Sequence, residues 1–591
     1  MNLPVPITRH RRRMGPGGRA AVAVGAVVVV AAAGLIVFWY GRSGAAGCAG
    51  APATLSVVAA PGEVTVLDRL AQEWNSGRPT VDGRCATVVV RSMESHAVSA
   101  ALGASWDESR DGPRPDVWAP DSRTWLLVTA GRPDAAALLP ATEPPSLATS
   151  PVVLAMQRPM AEALGWPDKP IGWTDLVGGF ANGGTWAKFG HPEWGPLRLG
   201  AVDPTRSSAG LAGILSILDA DNDNTMNDQE LFGGVAFAQL VTDYSPDTAA
   251  LLAKFTDASS AETTLPAAFP ILERDLAAYT ATTRSVPLVP VYPREGIAFA
   301  DFPFAVLSAD WVDRTKQLVA AEFLGYLRGD AGQRAFAAAG YRDATHAVRD
   351  PAVLGAERGF QPTVAVVRRP PTAEGLGQLV GMWTLLQRPT NLLVALDTSG
   401  SMNDPVPNTA LTRLQLLQRA AIQGIALLTN HTVVGLWQFA SALTPTTDYR
   451  ELVPVGPAGE AVGPVTRRQA MIGAIQRLSA AGGTGLYDTV YAAYLQMQKA
   501  WQPNAQNVVV VITDGKNEDD VGLTLPDLIQ RLRAAVRPDQ PLQFVGIAVG
   551  PQADAAALQE ISTVTGGRTF VARDEVSAIQ QIVLAFAGRI S

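Results

Sequence analysis

Uninterrupted apolar runs in the last third of the chain restrict its fold more than any other feature. Two of them are Asn391-Leu-Leu-Val-Ala-Leu and Asn507-Val-Val-Val-Val-Ile, and each leads directly into a polar loop. Short runs without polar alternation are typical of strands that are covered on both faces. Helical patterns separate them from further apolar runs at 432–439, 543–550 and 567–572. The alternation predicts a doubly wound parallel sheet over residues 389–591.

Three loops in this segment carry oxygen-bearing side chains. The residues are Asp397, Ser399, Ser401, Thr484 and Asp514. Because the carboxyl ends of parallel strands line one edge of a sheet, we expect these loops to converge there. Two carboxylates and three hydroxyls are hard donors, which suit Mg²⁺, Mn²⁺ or Ca²⁺. Each loop alone also fits a helix cap or a β-turn, so the prediction depends on finding all three in this order.

This segment resembles the von Willebrand factor A domains, whose metal-ion-dependent adhesion site has the pattern seen in 397–401, Thr484 and Asp514. The resemblance implies that the three hydroxyls bind the ion directly, and that the two aspartates bind it directly or through water. It also implies a metal-bridged contact with an acidic residue of a protein partner. In some members the last helix, here about 574–589, shifts when this contact forms.

The amino terminus predicts membrane attachment. Residues 20–40 contain no charge, and as a helix they are long enough to cross the ~30 Å apolar layer of a bilayer. Five arginines precede this run and only Arg42 closely follows it, so residues 1–19 form a cytoplasmic basic tail. We expect a single-pass plasma-membrane protein with 20–40 as signal anchor and 41–52 as an outer stalk. Signal-peptide cleavage, or lipidation of Cys48, are the alternatives.

The amino-acid composition argues against several classes of function. The chain has 591 residues and a net charge of −7, which does not predict a nucleic-acid-binding surface. Its five histidines lack metal-ligand spacing, which argues against a zinc or iron enzyme. No nucleophile–base pattern or phosphate loop occurs, so we do not expect an enzyme. The only two cysteines, Cys48 and Cys85, would both lie outside the membrane, where oxidising conditions favour a disulfide between them.

Residues 53–345 alternate apolar strands with helical patterns, which predicts a second α/β unit with a parallel sheet. The order of segments resembles the type 2 extracellular solute-binding proteins. It is carried by Ser150-Pro-Val-Val-Leu-Ala-Met, Gly165-Trp-Pro-Asp-Lys-Pro and Asp301-Phe-Pro-Phe, among others. The resemblance implies two lobes with a ligand cleft between them. The candidate cleft residues are Ser95, Ser122, Ser207 and Ser208. The last two precede an apolar helical run and also fit a simple helix cap.

The segment 219–230 matches most positions of an EF-hand calcium loop. Its candidate ligands are Asp219, Asp221, Asp223, Thr225 and Glu230. Asn224 stands where the loop usually has glycine, and asparagine tolerates the left-handed backbone better than most residues. A calcium ion here would be structural. The alternative is a solvated acidic loop in which Asn227 or Asp228 caps the next helix.

Residues 346–388 begin as a proline-containing linker and then predict a helix from 372 to 386. Together these features predict a bacterial envelope protein that binds a protein partner through metal and carries a solute-binding-like unit. Two alternatives stay open. The chain could be the substrate-binding subunit of a membrane transport system, with a small solute as ligand. It could also be an accessory factor for the assembly of a cell-surface complex.

Overall fold

The computed structural model describes residues 51–180, 184–257, 264–282, 284–387, 389–407, 409–426, 428–430, 432–550 and 552–572. Among these residues, no helix is both long and apolar enough to cross a membrane. The predicted basic tail, signal anchor, most of the stalk, Cys48 and the final helix at 574–589 lie outside them. The anchor and the Cys48–Cys85 disulfide therefore stay predictions.

The first unit begins with β1 and extends to α12. Its strands are β1 (Ala53–Ala59), β2 (Thr80–Val81), β3 (Arg84–Ser92), β4 (Val117–Ala119), β5 (Ser146–Gln157), β6 (Leu199–Val202), β7 (Val241–Ser245), β8 (Ala268–Leu272), β9 (Leu288–Val291), β10 (Phe299–Pro303) and β11 (Ala305–Val306). Its α-helices are α1 (Pro61–Ser76), α2 (Ser95–Gly103), α3 (Glu108–Asp111), α4 (Thr124–Ala130), α5 (Pro133–Ala136), α6 (Arg158–Ala163), α7 (Ser208–Leu218), α8 (Asp228–Leu240), α9 (Thr248–Asp257), α10 (Glu273–Thr280), α11 (Arg314–Arg328) and α12 (Asp330–Ala338).

These strands form one sheet in each of two lobes. The first sheet has the order β11-β4-β1-β3-β2, and β1 is parallel to β3 and β4. The second has the order β10-β5-β8-β6-β7, with β9 also paired to β5. In this second sheet the parallel arrangement is found where β6 pairs with β7 and β8. The prediction is wrong for β5, which is antiparallel to β8, β9 and β10. No βαβ crossover links β5 directly to these neighbours, so their direction is free to reverse.

The two lobes share one apolar core. Buried residues of the first lobe, such as Ala59 and Leu67, belong to the same cluster as Ala209 and Leu272 of the second lobe. The lobes therefore pack directly on each other, and about 25 cal/mol is gained for each Å² of apolar surface that this contact buries.

The predicted linker helix is α13 (Ala373–Gln387). Its buried residues Leu376, Leu379 and Trp383 pack into the core of the second lobe, against which Leu127 of α4 in the first lobe also packs. Because α13 contacts α4, α7 and α8, it lies across the junction of the two lobes. It belongs to the first unit and is not a free connector.

The second unit forms a separate sheet with helices on both faces. Its strands are β12 (Thr390–Asp397), β13 (Val433–Phe439), β14 (Tyr449–Pro457), β15 (Ala461–Val462), β16 (Val465–Thr466), β17 (Gln506–Thr513), β18 (Gln543–Val549) and β19 (Arg568–Ala572). Its α-helices are α14 (Arg413–Ala426), α15 (Arg467–Gln476), α16 (Leu486–Lys499), α17 (Leu525–Ala535) and α18 (Ala555–Thr565). The sheet order is β14-β13-β12-β17-β18-β19, and all neighbours are parallel except β13 and β14. The doubly wound prediction is confirmed.

Candidate functional site

The three oxygen-bearing loops meet at the carboxyl edge of the second unit's sheet. Asp397 ends β12, and Asp514 directly follows the neighbouring strand β17. The hydroxyl oxygens of Ser399 and Ser401 are 3.1 Å apart. Ser401 Oγ donates to Asp514 Oδ1 at 2.8 Å, which joins the first loop to the third. These four residues therefore form one cluster, as the strand order predicts.

Thr484 completes this cluster. A Cβ atom placed on Gly515 would lie 2.8 Å from Thr484 Oγ1 and 3.8 Å from Ser401 Oγ, so a side chain at Gly515 would crowd the threonine hydroxyl. The backbone N–H of Gly400 donates to Gly482 O at 2.8 Å and ties the first loop to the loop that carries Thr484. All five predicted ligands are thus brought together.

The two carboxylates of the cluster are fully buried. Asp397 Oδ1 accepts from the backbone N–H of Ser399 at 2.8 Å, and Asp397 Oδ2 accepts from Thr513 Oγ1 at 2.5 Å. Burial raises the pKa of Asp397 to about 6, the nearby charge of Asp514 adds to the rise, and these hydrogen bonds oppose it. A cation would offset this cost of holding charge away from water. The donors are carboxylate and hydroxyl oxygens, so they fit a hard divalent ion.

A guanidinium group adjoins the cluster, and sequence patterns did not predict it. Arg413 begins α14, and its Nη1 lies 2.6 Å from Asp514 Oδ2. The same atom is 3.2 Å from Gln552 Oε1 and 3.5 Å from Asp404 Oδ2. The Arg413 side chain is only 12% exposed. Arg413 and Asp514 are 101 positions apart, so no local sequence signal could have indicated their contact.

The structure distributes three of the four candidate cleft serines over two cavities, and their role in binding a ligand stays a prediction. Two cavities lie between the lobes, with volumes of 520 and 460 Å³. Ser207 lines the larger cavity, whereas Ser122 and Ser208 line the smaller one. Ser95 is buried beneath the larger cavity's Asp121. The lining of the larger cavity includes seven charged residues of both signs, which are Glu94, Asp121, Asp247, Asp275, Arg206, Arg274 and Arg284.

Two of the serine hydroxyls that a solute would need already form hydrogen bonds with other side chains of the protein. Ser95 Oγ donates to Asp121 Oδ1 at 2.6 Å. Trp125 Nε1, in the first lobe, donates to Ser208 Oγ, in the second, at 2.8 Å. This last hydrogen bond links the lobes directly across the expected cleft.

The other two serines accept hydrogen bonds from backbone N–H groups close to helix starts. Ser207 Oγ accepts from the backbone N–H of Gly210 at 3.2 Å, and this bond caps α7. Ser122 Oγ accepts from the backbone N–H of Thr124 at 3.2 Å, at the start of α4. The helix-cap alternative is confirmed for Ser207.

Comparisons with known families agree with this two-part architecture. Residues 55–342 match the family model described as bacterial extracellular solute-binding protein. Residues 391–584 match the model of the von Willebrand factor type A domain. The chain joins a solute-binding domain to a von Willebrand factor type A domain.

Individual proteins of known sequence or structure are also similar to this chain. Two uncharacterized proteins of Mycobacterium tuberculosis are each 25% identical over 597 residues, which covers 95% of this chain and 84% of theirs. A solved von Willebrand factor type A protein from Catenulispora acidiphila is 21% identical, with a TM-score of 0.28, and covers 34% of this chain and 43% of its own. A solved periplasmic thiamin binding protein is 13% identical, with a TM-score of 0.40, and covers 57% and 98%.

The von Willebrand factor A domain also has an acidic groove beside the three oxygen-bearing loops, which was not predicted. The groove has a volume of 1110 Å³, and the stacked rings of Trp437 and Tyr449 line part of it. Three of its carboxylates have oxygens within 4.8 Å of one another, and they belong to Asp448, Asp488 and Asp519. Glu518 in the same groove donates its backbone N–H to Thr484 O at 2.8 Å. A backbone hydrogen bond therefore joins the groove to the loop that carries Thr484.

The acidic loop of the solute-binding domain has some features of a calcium site. Asp219, Asp221 and Asp223 have carboxylate oxygens within 4.8 Å of one another. Asn224 has a φ of 69°, which is the left-handed conformation that an EF-hand needs at this position. Thr225 Oγ1 donates to Asp223 Oδ1 at 2.7 Å.

The same loop contains protein contacts that compete with an ion. Glu230 accepts from the backbone N–H of Asn227 at 2.9 Å, and the two residues form a capping box at α8, as the alternative predicted for Asn227. Arg368 Nη2 lies 3.4 Å from Asp219 Oδ2 and donates to the backbone carbonyl of Asp219. Arg368 of the linker thus supplies positive charge to the loop in place of a metal ion.

We expect Ca²⁺ to stabilise the full-length chain if this loop binds it. At a free concentration about 100 times Kd the gain is ~2.7 kcal/mol, because the ion binds only the folded state. Calorimetry in millimolar Ca²⁺ and in chelator should therefore show a higher Tm with Ca²⁺. Asp221→Ala should remove the shift, and Asp168→Ala, which changes an exposed acid outside the loop, should keep it. A shift of equal size in Asp221→Ala would place the ion elsewhere.

Proposed function

We propose that the von Willebrand factor A domain binds a protein partner through a divalent cation. The observation that carries this proposal is the convergence of five oxygen donors from three loops at one sheet edge. An ion held there by protein oxygens, some of them through water, keeps a coordination position for an external ligand. A carboxylate of the partner supplies that ligand.

The solute-binding domain acts in this proposal as a rigid support and not as a transport receptor. A receptor of the transport type opens and closes around its ligand. Here the lobes share a core, the Trp125–Ser208 hydrogen bond joins them, and α13 packs across their junction. These contacts oppose opening. Assembly of a cell-surface complex is compatible with the proposal, since an assembly factor also binds a protein partner.

Under this proposal the protein is located in the cell envelope. Residues 20–40 anchor the chain in the plasma membrane, and the residues after Arg42 lie outside it, as the arginine distribution favours. The metal loops then face an extracytoplasmic space in which divalent ions are available. We assign no catalytic step to either domain.

Metal-dependent capture tests the proposed function. Full-length protein, immobilised and freed of metal, is incubated with solubilised envelope proteins in millimolar Mg²⁺ or in chelator. We expect a partner to be retained in Mg²⁺ and released by chelator, and Mn²⁺ to replace Mg²⁺. Metal analysis of the washed protein should show the ion bound only in the first condition. The same proteins retained in both conditions would contradict a metal-bridged contact.

A further inference from the structure

Both carboxylate oxygens of Asp514 are already engaged within the chain. Oδ1 accepts from Ser401 Oγ at 2.8 Å, and Oδ2 is 2.6 Å from Arg413 Nη1. The Asp514 side chain is 0% exposed, so its charge depends on a partner inside the protein. Arg413 is that partner in the structure.

Arg413 has a second carboxylate within reach. Its Nη1 is 3.5 Å from Asp404 Oδ2, and the Asp404 side chain is 50% exposed. The backbone N–H of Arg413 also donates to Asp404 O at 3.0 Å, which fixes the start of α14 beside Asp404. A small rotation of the guanidinium can therefore exchange Asp514 for Asp404 without a movement of the helix.

We propose that Arg413 is an internal counter-cation that competes with the divalent ion for Asp514. This inference rests on the proposed metal site. Two cations close to one carboxylate repel each other, so ion binding displaces the guanidinium toward Asp404. Arg413 is then a positioning residue that raises the ion concentration at which the site loads.

The guanidinium also affects the partner. Asp397 and Asp514 together balance the charge of a divalent ion, and the half-exposed Asp404 offsets the displaced Arg413 only in part because water screens its charge, so the loaded site keeps some excess of positive charge. An anionic ligand neutralises this excess, whereas a neutral ligand does not. Arg413 thus favours a carboxylate at the open coordination position and weakens loading when no partner is present.

Calorimetric titration with MgCl₂ alone tests the inference on the full-length chain, in an Asp221→Ala background that removes the acidic loop from the measurement. Arg413→Met should bind Mg²⁺ about tenfold more tightly, a coupling typical of two linked sites. Arg413→Lys keeps the charge and should bind Mg²⁺ less tightly than Arg413→Met. Asp404→Asn removes the alternative position of the guanidinium and should weaken Mg²⁺ binding about fivefold.

The combination of variants separates the two proposals. Asp404→Asn should have no effect on Mg²⁺ affinity once Arg413→Met is present, because the guanidinium is gone. Unchanged or weaker Mg²⁺ binding in Arg413→Met would overturn the inference, while ion binding by the parent chain would leave the metal site intact. No Mg²⁺ binding by any of them would overturn both. If Arg413→Met does not fold, an unchanged affinity in Asp404→Asn alone is enough to overturn the exchange.

Discussion

Replacing Asp397 by alanine is expected to abolish Mg²⁺-dependent partner capture by the full-length chain. Asp397 is a proposed metal ligand, and it also holds the Ser399 backbone and the Thr513 hydroxyl in place. Changes to groups that only support metal ligands already cost about 10- to 100-fold in affinity, so we expect loss of a ligand to cost more. Partner retention over a Mg²⁺ concentration series measures the effect.

The matched control for this substitution is Asp520→Asn. Asp520 is an exposed acid of the adjoining groove, and its replacement removes the same charge without removing a proposed ligand. It should retain partner capture at a comparable Mg²⁺ concentration. Equal capture by Asp397→Ala and the parent chain would rule out this carboxylate as the metal-bridging site.

The pH dependence of Asp397 supplies an independent readout. Burial raises its pKa from 3.8 to about 6, so the folded chain holds a proton that the unfolded chain has lost in this range. The unfolding free energy of metal-free protein should therefore fall as pH rises from about 4 to about 6. Mg²⁺ affinity should increase over the same range, because the proton ceases to compete with the ion. Asp397→Asn should lack this contribution to the pH dependence.

The strands of the von Willebrand factor A domain were predictable because they are apolar on both faces. β12 and β17 are buried along almost their whole length, so each appears in the sequence as an unbroken apolar run and not as an alternating or helical pattern. The edge strand β14 was missed. It carries Arg450 and Glu451 on a partly exposed edge, and such strands lack a continuous apolar run.

The candidate sites differ in how much the sequence could indicate. The five donors of the proposed metal site follow an ordered pattern, since each lies in a loop at the carboxyl edge of the sheet. The cleft serines had no such constraint, because a hydroxyl before a helix satisfies the same free N–H groups as a bound anion would. The contact between Arg413 and Asp514 could not be predicted for a third reason. It joins the start of α14 to the loop after β17, which are close only in the folded domain, and an arginine at a helix start is usually solvated.

Arg342→Met is expected to destabilise the solute-binding domain by about 3–5 kcal/mol, the range for breaking a buried ion pair by removing one partner. Both Arg342 and Glu273 have side chains that are 0% exposed. Arg342 Nε and Nη2 each donate to a Glu273 carboxylate oxygen at 2.7 Å. Methionine fills part of the volume but leaves the glutamate buried without its cation. Calorimetry of the full-length chain should show a lower Tm for this domain.

The same arginine fastens the start of the linker, so the substitution should also expose that segment. Its guanidinium donates to Gln361 O at 2.5 Å and to His346 O and Pro362 O at 3.3 Å each. Limited proteolysis of Arg342→Met should therefore cut faster between residues 346 and 362 than in the parent chain. Adding Glu273→Gln to Arg342→Met removes the unpaired charge and should recover part of the lost stability, because a buried neutral amide costs less than a buried carboxylate. A further loss of stability in the double variant would mean that the charge of Glu273 is not what Arg342 compensates.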